Sequence, residues 1–261
     1  MAGNEFTVVQ ERSGGDVVLV LDGEMDMTSA PVVEAAVDEV AQNGADSLSF
    51  DLSSVGFIDS SGLRSLLLAR QRFGDRNDSV TLRSPQHSTV RLLEVAGVLD
   101  HFTIEPKDGV MLGTDEIDAT TLGERSVRSA INGPITLGFP ARPQPVRLAR
   151  LVSAAVAGSV DASIDDIEDL RIAVGEACAI LVGHATTDGR VEITIAVGSD
   201  SMTFDSRLTG GRCDDPQVDE LAQLVLGSLA DDVDFRLLDT GASLTFRWPL
   251  AAAVDADANV G

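Results

Sequence analysis

The sequence has no tyrosine and only 4% aromatic residues, so it offers little for stacking on nucleic-acid bases. Basic residues are scarce as well: 19 Lys and Arg stand against 42 Asp and Glu, a formal net charge of −23. Phosphate-backbone contacts need Lys and Arg, and an anionic lipid surface repels such a chain. Neither nucleic acid nor a membrane surface is an expected partner; a basic or mixed-charge protein is. Two cysteines, Cys178 and Cys213, make no disulfide framework, and three scattered histidines, His87, His101 and His184, make no metal centre. No apolar run reaches transmembrane length and no secretory pattern is seen, so the expected location is the cytoplasm.

What is present is enough apolar residue, 44% of 261 positions, to build two cores of ordinary size. The first half reads as strands at 6–12 and 17–22 joined by Ser13-Gly14-Gly15-Asp16, a hairpin signal. Thr28 or Ser29 then caps a helix with Pro31 in its first turn, and Val32, Val33, Ala36, Val37 and Val40 supply its apolar face. A strand at 47–52, a helix to about Phe73, a strand at 80–82, a helix from Ser84 to Val98 and a strand at 102–104 complete a ββαβαβαβ order. That order predicts an α/β layer with helices crossing between strands.

Residues 109–136 lack periodicity and read as a linker. Leu137-Gly138-Phe139-Pro140 reads as an edge strand, followed by a helix over 146–160. Ser163-Ile164-Asp165-Asp166 resembles a capping box and opens a long helix to about Ala185, with Ile167, Leu170, Val174, Ala177 and Leu181 at helical spacing. Strands at 191–197 and 201–205, a helix at 218–229 and strands at 233–237 and 242–248 follow. The second half is thus an α+β two-layer sandwich. The expected domains are 1–108 and 137–250, with a disordered tail at 251–261. The halves do not repeat one another.

The run Phe57-Ile58-Asp59-Ser60-Ser61-Gly62-Leu63 puts two hydroxyls where a strand hands over to a helix. Two readings stand side by side on the residues alone. Asp59 or Ser60 caps the helix, or a serine there carries a phosphate, held by the free N–H groups of the first turn and repelling an acidic partner.

The strand end Gly23-Glu24-Met25-Asp26 resembles the Gly-Glu-Leu-Asp signature of STAS domains. The Asp59-Ser60-Ser61-Gly62-Leu63 run resembles the phosphorylation loop of bacterial anti-sigma factor antagonists. The resemblance covers roughly the first 105 residues. It implies an α/β STAS fold, Ser60 as phosphoacceptor with Ser61, of the same chemistry, as the second candidate, Asp59, Ser60, Ser61, Gly62 and Leu63 as the partner-binding loop, and an anti-sigma factor kinase as partner.

The second half resembles the histidine-kinase-like ATPase domain of those anti-sigma kinases, over about 137–250. Asp169-Leu170-Arg171-Ile172-Ala173-Val174-Gly175-Glu176-Ala177-Cys178 is similar to the first nucleotide-box helix. The family carries Glu, Asn and His at i, i+4 and i+8, and this chain has Glu176, Ile180 and His184. The Asn is a magnesium ligand, and isoleucine offers a hard cation no oxygen. The Asp-x-Gly-x-Gly box is matched only by Asp205-Ser206-Arg207-Leu208-Thr209, which loses both glycines, and Pro216-Gln217-Val218-Asp219-Glu220 stands where a glycine-rich lid is expected. Glu176, Ile180, His184 and Asp205 are therefore read as vestigial, with Glu176 a solvated or hydrogen-bonded helix residue and Cys178 a small core residue. No catalytic residue, metal or cofactor is expected.

The function this implies is partner switching in sigma-factor control, in a stress-response type of circuit. The STAS domain binds an anti-sigma kinase and is switched off by serine phosphorylation. The ATPase-like domain, a pseudokinase, binds protein: its own STAS domain, a sigma factor or a second antagonist. The alternatives are an atypical ATP- and magnesium-dependent serine kinase or anti-sigma factor, and a STAS scaffold that does not switch.

Overall fold

The computed structural model describes residues 6–74, 80–106, 133–160, 162–186, 188–210 and 219–250. Most of the expected linker, the expected tail, Cys213 and residues 216–218 lie outside them. The chain divides into two compact units: Met1–Glu124 with Asp219–Val225, and Arg125–Val218 with Leu226–Gly261. Compactness thus groups Asp219–Val225 with the first half, whereas the sequence reading keeps 137–250 whole.

The first unit is a five-stranded sheet in the order β1-β2-β3-β4-β5, formed by Thr7–Ser13, Asp16–Met25, Ser47–Ile58, Val80–Arg83 and Thr103–Glu105. The β1–β2 hairpin is antiparallel and the other pairs are parallel. Parallel neighbours need crossovers, and α1 (Ala30–Gln42), α2 (Ser60–Phe73) and α3 (His87–Val95) supply them. Val17, Leu19, Leu21 and Met25 alternate into the core from β2, and Val33, Val37 and Val40 meet it from α1.

Three sequence expectations need correction here. β3 runs to Ile58 rather than Leu52. Its buried set changes phase, from Leu48, Phe50 and Leu52 to Val55 and Phe57, because its pairing with β2 shifts between Val20 and Asp22 and again between Gly23 and Glu24. An extra residue in one strand breaks the two-residue alternation that marks strands in sequence. The third helix is shorter than Ser84–Val98: Ser84 adopts φ 50°, Gln86 is the N-cap, and a 3-10 turn at Leu99–His101 follows the helix. Finally, Ser29 is the N-cap of α1 by position but makes no side-chain cap bond. Its hydroxyl instead accepts from the Asp26 amide at 2.8 Å.

The second unit carries a five-stranded antiparallel sheet in the order β6-β7-β8-β10-β9: Ile135–Pro140, Arg190–Val197, Ser201–Thr209, Gly241–Pro249 and Asp231–Leu238. Helices α4 (Val146–Gly158) and α5 (Ile164–Gly183) pack together, and α5 lies against β7, β8 and β10. The capping box forms as expected, with Ser163 accepting from the Asp166 amide at 3.1 Å and the Asp166 carboxylate accepting from the Ser163 amide at 3.3 Å. Met202, Phe204 and Leu208 of β8 alternate inward with Phe246 of β10, and the two phenyl rings stack at 4.6 Å. Helix α6 (Glu220–Leu229) starts among the residues grouped with the first unit and ends in the second. Among the described residues no helix is long and apolar enough to cross a membrane.

A packing constraint against backbone in the first unit is at Gly62. A Cβ there would lie 2.3 Å from the Met25 carbonyl oxygen and 2.9 Å from Ile58 Cγ1. Gly62→Ala is expected to cost roughly 1–3 kcal/mol through backbone displacement, read as lost hydrogen-exchange protection in β2 and β3. Gly56→Ala, with open space around the new Cβ, is the control and leaves protection nearly unchanged.

Candidate functional site

Strands β2 and β3 are parallel neighbours, so their carboxyl ends finish side by side, with Met25 in register with Ile58. The two sequence motifs, Gly23–Asp26 and Asp59–Leu63, are thereby brought together at one end of the sheet. The Asp59 amide donates to the Met25 carbonyl at 3.2 Å, which ties the second motif to the first. Loops beyond the carboxyl ends of parallel strands are the usual place for function in open α/β sheets.

Asp59 is the N-cap of α2. Its backbone is extended, at φ −119° and ψ −174°, and its carboxylate accepts from the amides of Ser61 at 2.9 Å and Gly62 at 3.2 Å. The Leu63 amide completes the first turn by donating to the Asp59 carbonyl at 2.8 Å. An anion at this position satisfies otherwise orphaned donors and complements the helix dipole. On the facing strand end, Asp26 takes the Thr28 amide at 2.9 Å and the Thr28 hydroxyl at 2.6 Å. Asp26, Asp59 and Ser60 are all buried, Ser60 to 1% exposure, whereas Ser61 is half-buried and Leu63 is in the core. Asp59 is thus the cap, and Ser60 is the first helical residue rather than the cap itself. A phosphate on Ser60 requires its hydroxyl to turn outward.

The second set of sequence candidates does not converge. Glu176 is fully buried on α5 and engaged in an interaction there, so the solvated alternative for it is corrected. Ile180, one turn on, is a core residue at 4% exposure. His184 is the C-cap of α5, its Nδ1 donating to the Ile180 carbonyl at 2.6 Å and its ring lying 5.3 Å from Phe235. Because a carbonyl only accepts, that contact puts a proton on Nδ1.

Asp205 is exposed, on the side of β8 opposite Phe204, Ser206 and Leu208, which face the helices. Its carboxylate therefore points away from the layer that holds Glu176. These residues do not fit a magnesium–nucleotide site: the cation position carries an alkyl group, and the carboxylate of the second box faces the open side of the sheet. Among the described residues, no group of three or more His, Cys, Asp or Glu is arranged to hold a metal.

The acidic runs have local work. Asp165 and Asp166 lie in the first turn of α5, where negative charge is favourable. Asp231 and Asp232 pair with Arg247, and Asp234 pairs with Arg236.

Sequence reading missed Arg150, which is 1% exposed on α4. The signal was available, since Arg150 falls in register with Val146, Ser153 and Ala157 on the buried stripe. Cys178 lies close enough to feel that guanidinium. Desolvation pushes its thiol up from 9.0 to about 12, and the positive charge of Arg150 partly offsets the rise. This is an inert core thiol.

In a Cys213→Ser background, a thiol reagent at pH 8 is expected to label Cys178 only after denaturation, since a rise of this size removes roughly three orders of magnitude of thiolate. The same burial makes folding weaken as pH climbs above 9.0. There the unfolded thiol ionises, while the folded one keeps its proton until about 12. Rapid labelling of the native protein would contradict this assignment.

Comparison with known proteins gives two separate matches. The STAS domain model matches residues 7–109, and the histidine kinase-like ATPase domain model matches residues 139–248. Serine-protein kinase RsbW of Bacillus licheniformis is 32% identical over 132 residues, covering 42% of this chain and 82% of the kinase. RsbW of Bacillus velezensis is 37% identical over 87 residues, which covers 28% of this chain and only about half, 54%, of that kinase's length. An anti-sigma factor antagonist structure from Mycobacterium paratuberculosis is 28% identical, with a TM-score of 0.37, covering 41% of this chain and 90% of that one. The chain belongs to the STAS and histidine kinase-like ATPase families in tandem, with its second half related to the RsbW serine-protein kinases.

Proposed function

We propose that this protein is a partner-switching regulator of sigma-factor activity, working in the cytoplasm. Its STAS domain binds a separate anti-sigma kinase through the Asp59–Leu63 turn, and phosphorylation of Ser60 ends that binding. Its ATPase-like domain serves protein binding, for a sigma factor or the protein's own STAS domain, and does not transfer phosphate.

The observation that carries the first part is the position of Ser60, the first helical residue behind an Asp59 cap, at the carboxyl end of two neighbouring parallel strands. A phosphate adds about −1.5 to −2 charges at neutral pH. At this helix N-terminus the dipole tolerates that charge within the domain. A partner surface pressed against the turn has no such compensation unless it carries its own cations, so the charge and its desolvation weaken the complex. The match of the first half to the STAS domain model and the relation of the second half to RsbW kinases support the same circuit from two sides.

The observation that supports the second part is Ile180. Phosphoryl transfer depends on a metal that neutralises phosphate oxygens, and the residue one turn after Glu176 has no oxygen to offer it. The retained Glu176 and the 32% identity to a serine-protein kinase favour the alternative of an atypical serine kinase, but Glu176 alone does not replace the missing magnesium ligand.

A pull-down from the native host's lysate, comparing wild type, Ser60→Ala and Ser60→Asp, tests the switch. Ser60→Ala is expected to retain a kinase that Ser60→Asp loses by at least about tenfold, since one charge placed in a desolvated contact readily costs 1.4 kcal/mol or more. Equal recovery with both variants would leave Ser60 as a plain helix residue.

A further inference from the structure

Ser60, Arg64, Leu67, Leu68 and Gln71 follow one another at helical spacing along α2 and share one face. Arg64 and Gln71 are exposed and Leu67 and Leu68 half-buried, yet Ser60, heading the row, is only 1% exposed. Arg64 is ion-paired with Asp219, a residue 155 positions further along the chain.

Asp219 has a second task. Its other carboxylate oxygen accepts from the amides of Leu221 at 3.1 Å and Ala222 at 3.4 Å, and its carbonyl accepts from Gln223 at 3.0 Å. Asp219 is therefore the cap of α6 and also the group that Arg64 grips. The segment Asp219–Val225 is grouped with the first compact unit. One guanidinium on the Ser60 face thus holds the start of a helix that arrives from the far half of the sequence.

We propose that Arg64 is a phosphate-operated latch. With Ser60 unmodified, Arg64 holds Asp219 and keeps Asp219–Val225 on the first unit. A phosphate on Ser60 takes Arg64 for itself and releases that segment. The latch rests on Ser60 being the acceptor, as proposed above, and adds what the phosphate does inside the chain.

Three physical terms favour the exchange. Ser60 and Arg64 are i and i+4, with the acidic partner on the N-terminal side, the better orientation for a helical ion pair. A phosphate brings about twice the charge of a carboxylate and three acceptor oxygens, and Arg binds it bidentately. Asp219 and Glu220, at the start of α6, are also repelled by a dianion placed on the same face of α2. The pair being displaced is weak, since its side chains are 49% and 31% exposed and exposed pairs contribute little. A strong, buried pair would not serve as a reversible latch.

The test uses the full chain with phosphoserine incorporated at position 60 during translation, so no kinase is needed. Amide hydrogen exchange across 219–229 is compared in wild type, phosphoserine-60, Arg64→Gln, and the phosphoserine form carrying Arg64→Gln. Phosphoserine is expected to speed exchange at the start of α6 by roughly two- to fivefold, the scale of an exposed ion pair. Arg64→Gln alone should do the same, and phosphoserine should add almost nothing to it. Asp219→Asn, which keeps a capping side chain and removes the charge, should match Arg64→Gln. Exchange that phosphoserine leaves unchanged, or speeds by the same factor with and without Arg64, would overturn the latch. Either result leaves the partner-binding difference between Ser60→Ala and Ser60→Asp intact, so the latch and the switch fail separately.

Discussion

The first unit depends on the close approach of the opening turn of α2 to the end of β2. Asp59 fixes that approach twice, through its amide on the Met25 carbonyl and through its carboxylate on the Ser61 and Gly62 amides. The fit leaves no room for a side chain at position 62, where a Cβ would collide with the Met25 oxygen. Asp at position 59 and Gly at position 62 are therefore packing requirements before they are a signal. The hydroxyl of Ser60 is carried to a helix N-terminus by groups that have already satisfied the nearby donors. The setting favours negative charge, and the residue lies on the same helical row as Arg64.

Much of this was legible in the sequence because strong local rules agreed with one another. The β1–β2 hairpin, the span of α2 to Phe73 and the capping box at Ser163 each rest on turn or cap chemistry that needs few long-range contacts. Features set by pairing rather than pattern were less visible. The second half of β3 was lost because two register shifts against β2 break its alternation. The burial of Ser60 was invisible, since its helical neighbour Arg64 is exposed. The pairing of Arg64 with Asp219 spans 155 positions and follows from no periodicity. Arg150 was overlooked because a charged residue on an apolar stripe reads as an interruption, not as a buried ion.

The second unit keeps the two-layer fold while three of its nucleotide-box positions depart from the pattern that the sequence resembles. Helix α5 still presents Glu176 and His184 at the family spacing, but between them Ile180 has become part of the core, and its carbonyl is used by the His184 ring. Asp205 lies on an exposed sheet face. Function follows the site, not the fold.

The central claim is that this chain receives phosphate on Ser60 from another protein and does not place it there itself. Mass spectrometry of the purified full chain after incubation with magnesium and ATP, alone and with its host's separate anti-sigma kinase, tests it directly. The account predicts phosphate on Ser60 only when the second protein is present, and none on the chain alone. Stoichiometric phosphate on Ser60 in the absence of any other kinase would contradict it.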